Sequence, residues 1–152
     1  MQILVKNTII QADLDFLNFA GGKVTKANLE VTYGDFPHQV SLQEINNRRH
    51  FCGASIIHSK FILTAAHCFI DHEARNTIAV AGEHDLKVSD WSREQTRRVT
   101  RVIPHENFVP VDETYTNDIA LLELDQALNF NNKYVRPIAL RHPIWPLPRK
   151  KS

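Results

Sequence analysis

The sequence predicts an all-β protein, folded as an antiparallel barrel or sandwich. Short segments rich in β-branched and aromatic residues recur between residues 40 and 124, and turn-forming residues separate them. No long segment shows the 3.6-residue period of an amphipathic helix. The 152 residues, 43 % of them apolar, are enough for one domain with a hydrophobic core.

The first predicted strands lie between residues 40 and 64. Residues 40–43 form a short β-prone segment, Asn-Asn at residues 46–47 marks a turn, and a new extended run begins at residue 49. Residues 55–57 and 61–64 are two apolar segments with three residues between them. This spacing is typical of a β-hairpin.

The later predicted strands are recognised by the residues that end them. A glycine ends the segment at residues 78–81, and a proline ends the loosely alternating segment at residues 95–103. Residues 119–124 form a nearly continuous apolar run, which predicts a strand buried on both faces. The only helix predicted in this part of the chain is a short turn around residues 65–69.

The ends of the chain differ from its middle. Residues 1–18 are predicted to be an N-terminal appendage or the remnant of a pro-segment, and residues 141–152 a basic, proline-containing tail, around a domain at residues 19–140. The first residues contain no apolar run of about 7–15 residues, so no signal peptide is predicted. No run approaches the roughly 18 apolar residues of a membrane span, and we expect no membrane partner.

The charge gives no indication of a nucleic-acid partner. The formal net charge is +1, and bulk charge therefore provides no attraction for a polyanion. Four arginines cluster without interleaved aromatic residues, at positions Arg93, Arg97, Arg98 and Arg101. We interpret this cluster as the solvated face of a strand, and we expect no nucleic-acid binding.

The two cysteines allow one internal disulfide. A bridge between Cys52 and Cys68 would close a loop of about 16 residues and add roughly 3 kcal/mol of stability in the chain-entropy model. Such a bridge needs an oxidising compartment. Two buried free thiols are the alternative, and residue chemistry alone leaves both open.

His67 and Asp118 have the chemistry of a catalytic pair. A serine hydroxyl is a poor nucleophile until a base accepts its proton, and histidine titrates in the right range to do so. A carboxylate on the other ring nitrogen fixes the tautomer and stabilises the imidazolium. His67 and Asp118 can act in this way only if the fold brings them together.

Five segments resemble, in the same order, segments of the chymotrypsin-like serine proteases. The region around the family's catalytic histidine is similar to residues 51–68, including Thr-Ala-Ala-His-Cys, and the region around its catalytic aspartate is similar to residues 117–124, Asn-Asp-Ile-Ala-Leu-Leu-Glu-Leu. The other segments are residues 34–42, 102–108 and 136–140. The chain is identified as a member of this family that contains its N-terminal half.

The resemblance implies a single six-stranded antiparallel Greek-key barrel, like the first of the family's two barrels. It implies that His67 is the general base, that Asp118 orients it, and that Cys52 and Cys68 form a disulfide. It also implies an extracellular protein whose full-length relatives act on proteins or peptides, with no cofactor. The active site of the family lies in the cleft between two barrels, so this barrel would form one wall.

The chain departs from the family after Asp118. The family's nucleophile lies in a Gly-Asp-Ser-Gly-Gly segment, whereas here no glycine follows Gly82 and the only serine after Asp118 is Ser152. The oxyanion hole and the specificity pocket belong to the same second half. We therefore expect an endopeptidase family member that is truncated before its nucleophile and inactive alone.

Two other interpretations are kept open. The first is a non-catalytic homologue that acts as a binding or regulatory module, through a protein partner or self-association at an exposed barrel face. The second is a gene-model or splicing product. Asn18 stands where trypsin-like activation needs Arg or Lys, so we do not expect such activation. Ala139 stands where many family members have a cysteine, so we expect no disulfide from this connector.

Residues 83–94 resemble the calcium loop of some trypsins. Glu83 and Glu94 carry carboxylates of the kind that bind hard cations. Trp91 and Arg93 interrupt the pattern, however, and the spacing is one residue longer. We therefore predict a surface turn without a metal ion.

Overall fold

The computed structural model describes residues 32–111 and 114–140, together with the backbone of residues 17–20, 23–26 and 29–30. The predicted tail at residues 141–152 and most of the predicted appendage at residues 1–18 lie outside these ranges. The first strand, β1 (Leu17–Ala20), runs across the predicted boundary at residues 18 and 19. It forms a three-stranded antiparallel sheet with β2 (Lys23–Lys26) and β3 (Leu29–Glu30).

Six further strands close into an antiparallel barrel. They are β4 (Gln39–Glu44), β5 (His50–His58), β6 (Phe61–Thr64), β7 (Thr77–Ala81), β8 (Gln95–Pro104) and β11 (Ala120–Leu124). Around the barrel the order is β11-β6-β5-β4-β7-β8, and β8 pairs with β11 to close it. The return of β7 to pair with β4 makes the Greek-key order β7-β4-β5-β6. The predicted single six-stranded barrel is confirmed.

A two-stranded ribbon stands apart from the barrel. It consists of β9 (Val109–Val111) and β10 (Thr114–Thr116), which pair in antiparallel register between β8 and β11 in the chain. The helical content of the described residues is two short 3₁₀ segments, Ala66–Phe69 and Ala74–Asn76. The first is the helical turn predicted from sequence, and the second was not predicted.

Inward-facing side chains from all six barrel strands fill the barrel. Leu42, Ile56, Ile62 and Leu122 are fully buried, and Val99 is nearly so. Burial of a Leu or Ile side chain contributes about 1.5–3 kcal/mol relative to leaving it in water. These residues belong to one continuous apolar cluster, which is the main source of stability in the described part of the chain.

The prediction that β11 is buried on both faces is wrong. Ala120, Leu122 and Leu124 are buried, whereas Leu121 and Glu123 are only half-buried between them. In a barrel of this size, alternate residues of each strand point inward and the others outward. Leu121 is an apolar residue on the outer face, and for this reason the run of apolar letters looked continuous.

Gly82 is required where β7 ends. Its φ is +80°, a region that residues with a side chain rarely adopt. A Cβ atom at this position would lie 2.5 Å from the carbonyl oxygen of Arg93. The chain therefore needs glycine here to turn out of the barrel into the loop that precedes β8.

No helix among the described residues has both the length and the apolar character needed to cross a bilayer.

The assignment of the core predicts that two Leu→Ala substitutions differ strongly in their effect on the free energy of unfolding. Leu122→Ala removes a side chain that is 0 % exposed, and we expect the free energy of unfolding to fall by about 2–5 kcal/mol. Leu140 is 62 % exposed, and Leu140→Ala should change it by less than about 0.5 kcal/mol. Urea denaturation followed by circular dichroism measures both, and equal effects would contradict the assignment.

Candidate active site

The register of the barrel places His67 and Asp118 at the same end. Ala120 at the start of β11 is opposite Thr64 at the end of β6. His67 follows β6 by three residues, and Asp118 precedes β11 by two. Because the two strands are antiparallel, both residues lie where β6 leaves and β11 enters the sheet. The two residues are 51 positions apart in the chain and meet through this pairing.

The turn that carries His67 is held by its neighbours. The Thr64 hydroxyl donates to the Gly53 carbonyl at 2.8 Å, which fixes the end of β6 to β5. Ala65 and Ala66 are 0 % and 3 % exposed, and their small side chains let the 3₁₀ segment pack against the barrel. The segment thus has little freedom to move relative to the sheet.

A disulfide joins this turn to the barrel wall. Cys52 on β5 is bonded to Cys68 in the 3₁₀ segment, directly after His67, and both residues are buried. The disulfide implied by the family resemblance is confirmed. It is a second anchor for the histidine turn, independent of the Thr64 hydrogen bond.

Asp118 is aimed at His67 by the residue before it. Asn117 has φ +54°, a conformation in which Asn is enriched among residues other than glycine. Its side-chain amide donates to the Asn107 carbonyl at 2.9 Å. The N–H of Ile119 then donates to the Asn117 carbonyl at 2.8 Å. These contacts form a tight bend that turns the Asp118 side chain toward the histidine turn.

Asp118 binds His67 through both carboxylate oxygens. Oδ1 accepts the backbone N–H of His67 at 2.8 Å, and Oδ2 lies 2.6 Å from Nδ1 of the imidazole. An ionised carboxylate only accepts hydrogen bonds, so Nδ1 carries the proton and donates it. Nε2 is consequently the acceptor of the neutral ring. Both side chains are about one-fifth exposed, so the pair lies near the surface.

An aromatic ring covers the imidazole of His67. The ring of Tyr115, on β10, lies with its centroid 5.0 Å from that of His67 and an interplanar angle of 15°. Phe108 packs against Tyr115 with a centroid separation of 6.2 Å. Neither the sequence motifs nor the family resemblance indicated this stack.

Among the described residues there is one group of three potential metal ligands, whose donor atoms lie within 4.8 Å of one another: Cys52, His67 and Cys68. The two sulfurs are bonded to each other. A disulfide offers no thiolate, and the thiolate is the form that ligates metals. In its oxidised form this group therefore does not fit a metal ion.

Glu83 and Glu94, two of the four acidic residues in the loop at residues 83–94, are the ones that resemble calcium ligands. The Gln43 amide donates to both oxygens of Glu83, and Glu94 accepts the backbone N–H of Asp90 at 2.7 Å. Burial raises the pKa of the Glu83 carboxyl, against the opposing effect of hydrogen bonds from Ser41 and Gln43.

Calcium takes about six to eight oxygen ligands. In the part of the chain that the structure describes, no third acidic or imidazole donor joins Glu83 and Glu94. Asp90 instead pairs with Arg93 at 2.6 Å. The loop thus shows an incomplete fit to a calcium site, and a metal-free turn stays a prediction.

The structure therefore brings together all four residues that the sequence singled out. His67, Asp118, Cys52 and Cys68 lie at one end of the barrel, as a hydrogen-bonded pair beside a disulfide. The residues missed were Tyr115, whose ring stacks on His67, and Asn117, which forms the bend before Asp118. Asn directly before the aspartate was the available signal, because Asn tolerates left-handed backbone.

A Greek-key barrel with a disulfide-anchored histidine hydrogen-bonded to an aspartate defines the chymotrypsin-like class of serine protease domains. The Trypsin family model matches residues 27–150. With this match the family is established, and the chain belongs to the trypsin family of serine proteases.

Known relatives are similar over most of this chain. Coagulation factor IX from Oryctolagus cuniculus is 39 % identical over 130 residues, which cover 86 % of this chain and 43 % of the relative. Trypsin-1 from Astacus astacus is 43 % identical over 116 residues, covering 73 % and 47 %. Serine protease SP24D from Anopheles gambiae is 38 % identical over 127 residues, covering 81 % and 42 %. The chain thus spans less than half the length of each relative.

Removal of the Cys52–Cys68 disulfide should lower the stability of the protein measurably. In the Cys52→Ala/Cys68→Ala double variant, the free energy of unfolding should fall by about 3 kcal/mol, because the unfolded chain regains the freedom of the closed loop. Urea denaturation measures the loss.

A reducing agent provides the matched control. It should shift the denaturation midpoint of the unsubstituted protein toward that of the double variant and leave the double variant unchanged. A double variant as stable as the unsubstituted protein would show that the bridge does not support the turn.

Proposed function

We propose that this chain provides the histidine–aspartate half of a serine endopeptidase active site and cleaves no peptide bond alone. The observation that supports the proposal is the two-point contact between Asp118 and His67. The contact to Nδ1 fixes the tautomer, and the contact to the backbone N–H fixes the carboxylate itself.

In this proposal His67 acts as general base and Asp118 orients it. Nε2 accepts the proton of a serine hydroxyl while the serine oxygen bonds to the carbonyl carbon of the scissile peptide. The imidazolium then donates that proton to the leaving amine, and the peptide C–N bond breaks. Throughout, the Asp118 carboxylate stabilises the positive ring without taking the proton.

The serine in this scheme comes from outside the described barrel. After Asp118 the sequence contains one serine, Ser152, and no glycine. A Gly-x-Ser-x-Gly nucleophile segment is therefore not part of these 152 residues. Removal of one oxyanion-hole donor alone costs about 10²–10³ in rate, and here the donors would be missing together with the nucleophile. We infer that these 152 residues correspond to the N-terminal barrel of such an enzyme.

Substrate class and location are part of the same proposal. Family membership supports proteins or peptides as the substrates of the complete enzyme. The Cys52–Cys68 disulfide supports an extracellular location, because such bridges persist in oxidising compartments. We propose residues 19–140 as the protease-like domain, preceded at residues 1–18 by an appendage or the remnant of a pro-segment.

The alternative is a non-catalytic module that binds a partner or itself. Tyr115 and Ile119, on either side of Asp118, are 43 % and 40 % exposed. Exposed apolar side chains grouped at one place on a domain mark a candidate contact surface. In a two-barrel protease the facing barrel would approach this end.

A hybrid enzyme tests the catalytic roles. The chain alone should not react with a fluorophosphonate probe. When it is joined at its connector to the second barrel of a complete trypsin, we expect amide hydrolysis. In the hybrid, Asp118→Asn should lower kcat about 10⁴-fold, the loss known for the corresponding change in a serine protease triad, and His67→Ala should lower it at least as much.

His58→Ala is the matched control for the hybrid. His58 is an exposed histidine at the turn between β5 and β6, at the other end of β6 from His67, and its loss should leave kcat unchanged. Stoichiometric labelling of the chain alone would contradict the inactivity, and a hybrid equally active without His67 would contradict its role.

Dye binding tests the alternative. If the surface around Asp118 is an open apolar contact site, the purified chain should enhance the fluorescence of a hydrophobic dye, and Ile119→Ser should reduce the enhancement. Val88→Ser, at a 59 % exposed valine in the 83–94 loop, is the control and should not. A monomer that binds no dye would count against the binding-module alternative.

A further inference from the structure

We propose that Tyr115 is a positioning residue, whose ring holds the imidazole of His67 in the orientation that Asp118 and a substrate hydroxyl require. Its importance for catalysis rests on the proposed function, in which His67 is the general base. The positioning itself is a property of this chain and needs no second barrel to be measured.

The stack supplies a restraint that the hydrogen bonds do not. The last side-chain torsion of histidine is broad, because it joins sp³ and sp² carbons. Asp118 holds the imidazole at one edge, through Nδ1, and a ring held at one edge can still tilt about that contact. Tyr115 lies nearly parallel to the imidazole, 5.0 Å away, and blocks tilting toward its own side.

On the other edge of the ring, the Sγ atom of Cys68 lies 3.9 Å from Nε2. The disulfide that includes this sulfur is anchored to β5. The imidazole therefore has three contacts of different kinds: a carboxylate at Nδ1, a fixed sulfur near Nε2 and an aromatic ring over one face. Of these, Tyr115 is the contact made by a ring lying nearly parallel to the imidazole.

Tyr115 is held firmly enough to act in this way. It lies in the β9–β10 ribbon, opposite Pro110, and its ring packs against Phe108. The ribbon is connected to the site by the hydrogen bond from the Asn117 amide to the Asn107 carbonyl. This bond attaches the bend at Asn117, which directs Asp118 toward His67, to the segment just before the β9–β10 ribbon. Tyr115 lies in that ribbon.

The positioning depends on the aromatic face and not on the hydroxyl. Tyr115→Phe keeps the ring and removes only the oxygen, whereas Tyr115→Leu keeps an apolar side chain and removes the ring. The two variants separate stacking from simple burial of apolar surface.

The test is the Nδ1 proton of His67, observed by NMR in the intact chain. A proton held between imidazole and carboxylate gives a separate far-downfield resonance, and its exchange with water reports how firmly the ring is held. We expect Tyr115→Phe to keep the exchange rate of the unsubstituted protein. Tyr115→Leu should raise it about 2- to 10-fold, in line with the typical strength of an aromatic pair.

The stack of Phe51 on His72 is an internal control. Their centroids are 3.9 Å apart with an interplanar angle of 14°, so the His72 resonances report whether the fold remains intact in each variant. They should not change in Tyr115→Leu. If Tyr115→Leu fails to fold, a nuclear Overhauser contact between the two rings in the unsubstituted protein decides the question.

Three results would overturn the proposal: an unchanged exchange rate in folded Tyr115→Leu, an equal loss in Tyr115→Phe, or no Overhauser contact between the rings. The hybrid enzyme separates this proposal from the proposed function. An inactive hybrid with the expected NMR result would contradict the catalytic role of His67 and still support the positioning role of Tyr115. An active hybrid in which Tyr115→Leu lowers kcat at constant KM would connect the two.

Discussion

The pairing of β6 with β11 is the constraint on which the site depends. In the register that sets Ala120 opposite Thr64, the histidine turn and the aspartate bend emerge side by side. Side-chain direction alternates along a strand, so a slip of one residue would reverse every inward-facing side chain of β11. The buried Leu122 and Leu124 would then face water. The hydrophobic core therefore fixes the same register that brings His67 and Asp118 together.

In the short motif around His67, four residues make structural contacts and the histidine side chain is left available for chemistry. Thr64 fixes the strand end, Ala65 and Ala66 permit close packing, and Cys68 anchors the segment to β5. Only the histidine side chain is left partly open to solvent. Each of the four other residues has a steric or bonding reason to be the type it is. This explains why the motif is informative well beyond its histidine.

Much of this architecture was predictable from sequence, because the barrel strands are short apolar segments with clear endings. The strand at residues 119–124 shows where such reasoning fails, since Leu121 lies on the outer face and no sequence letter distinguishes it from the buried Leu122. The β9–β10 ribbon and the Tyr115 stack were also missed. Both depend on three-dimensional proximity and not on periodicity, and a single tyrosine among polar residues carries no pattern of its own.

The position of β11 as the last barrel strand in the chain also has a kinetic consequence. The disulfide closes a loop between residues only 16 positions apart, whereas the contact of His67 with Asp118 spans 51. Contacts between distant segments form slowly, because the chain loses entropy before those contacts stabilise it. β11 is the last barrel strand in the chain, and it seals the barrel by pairing with both β6 and β8. Closure of the barrel by β11 therefore also brings the histidine and aspartate together, and a nascent chain without β11 has neither.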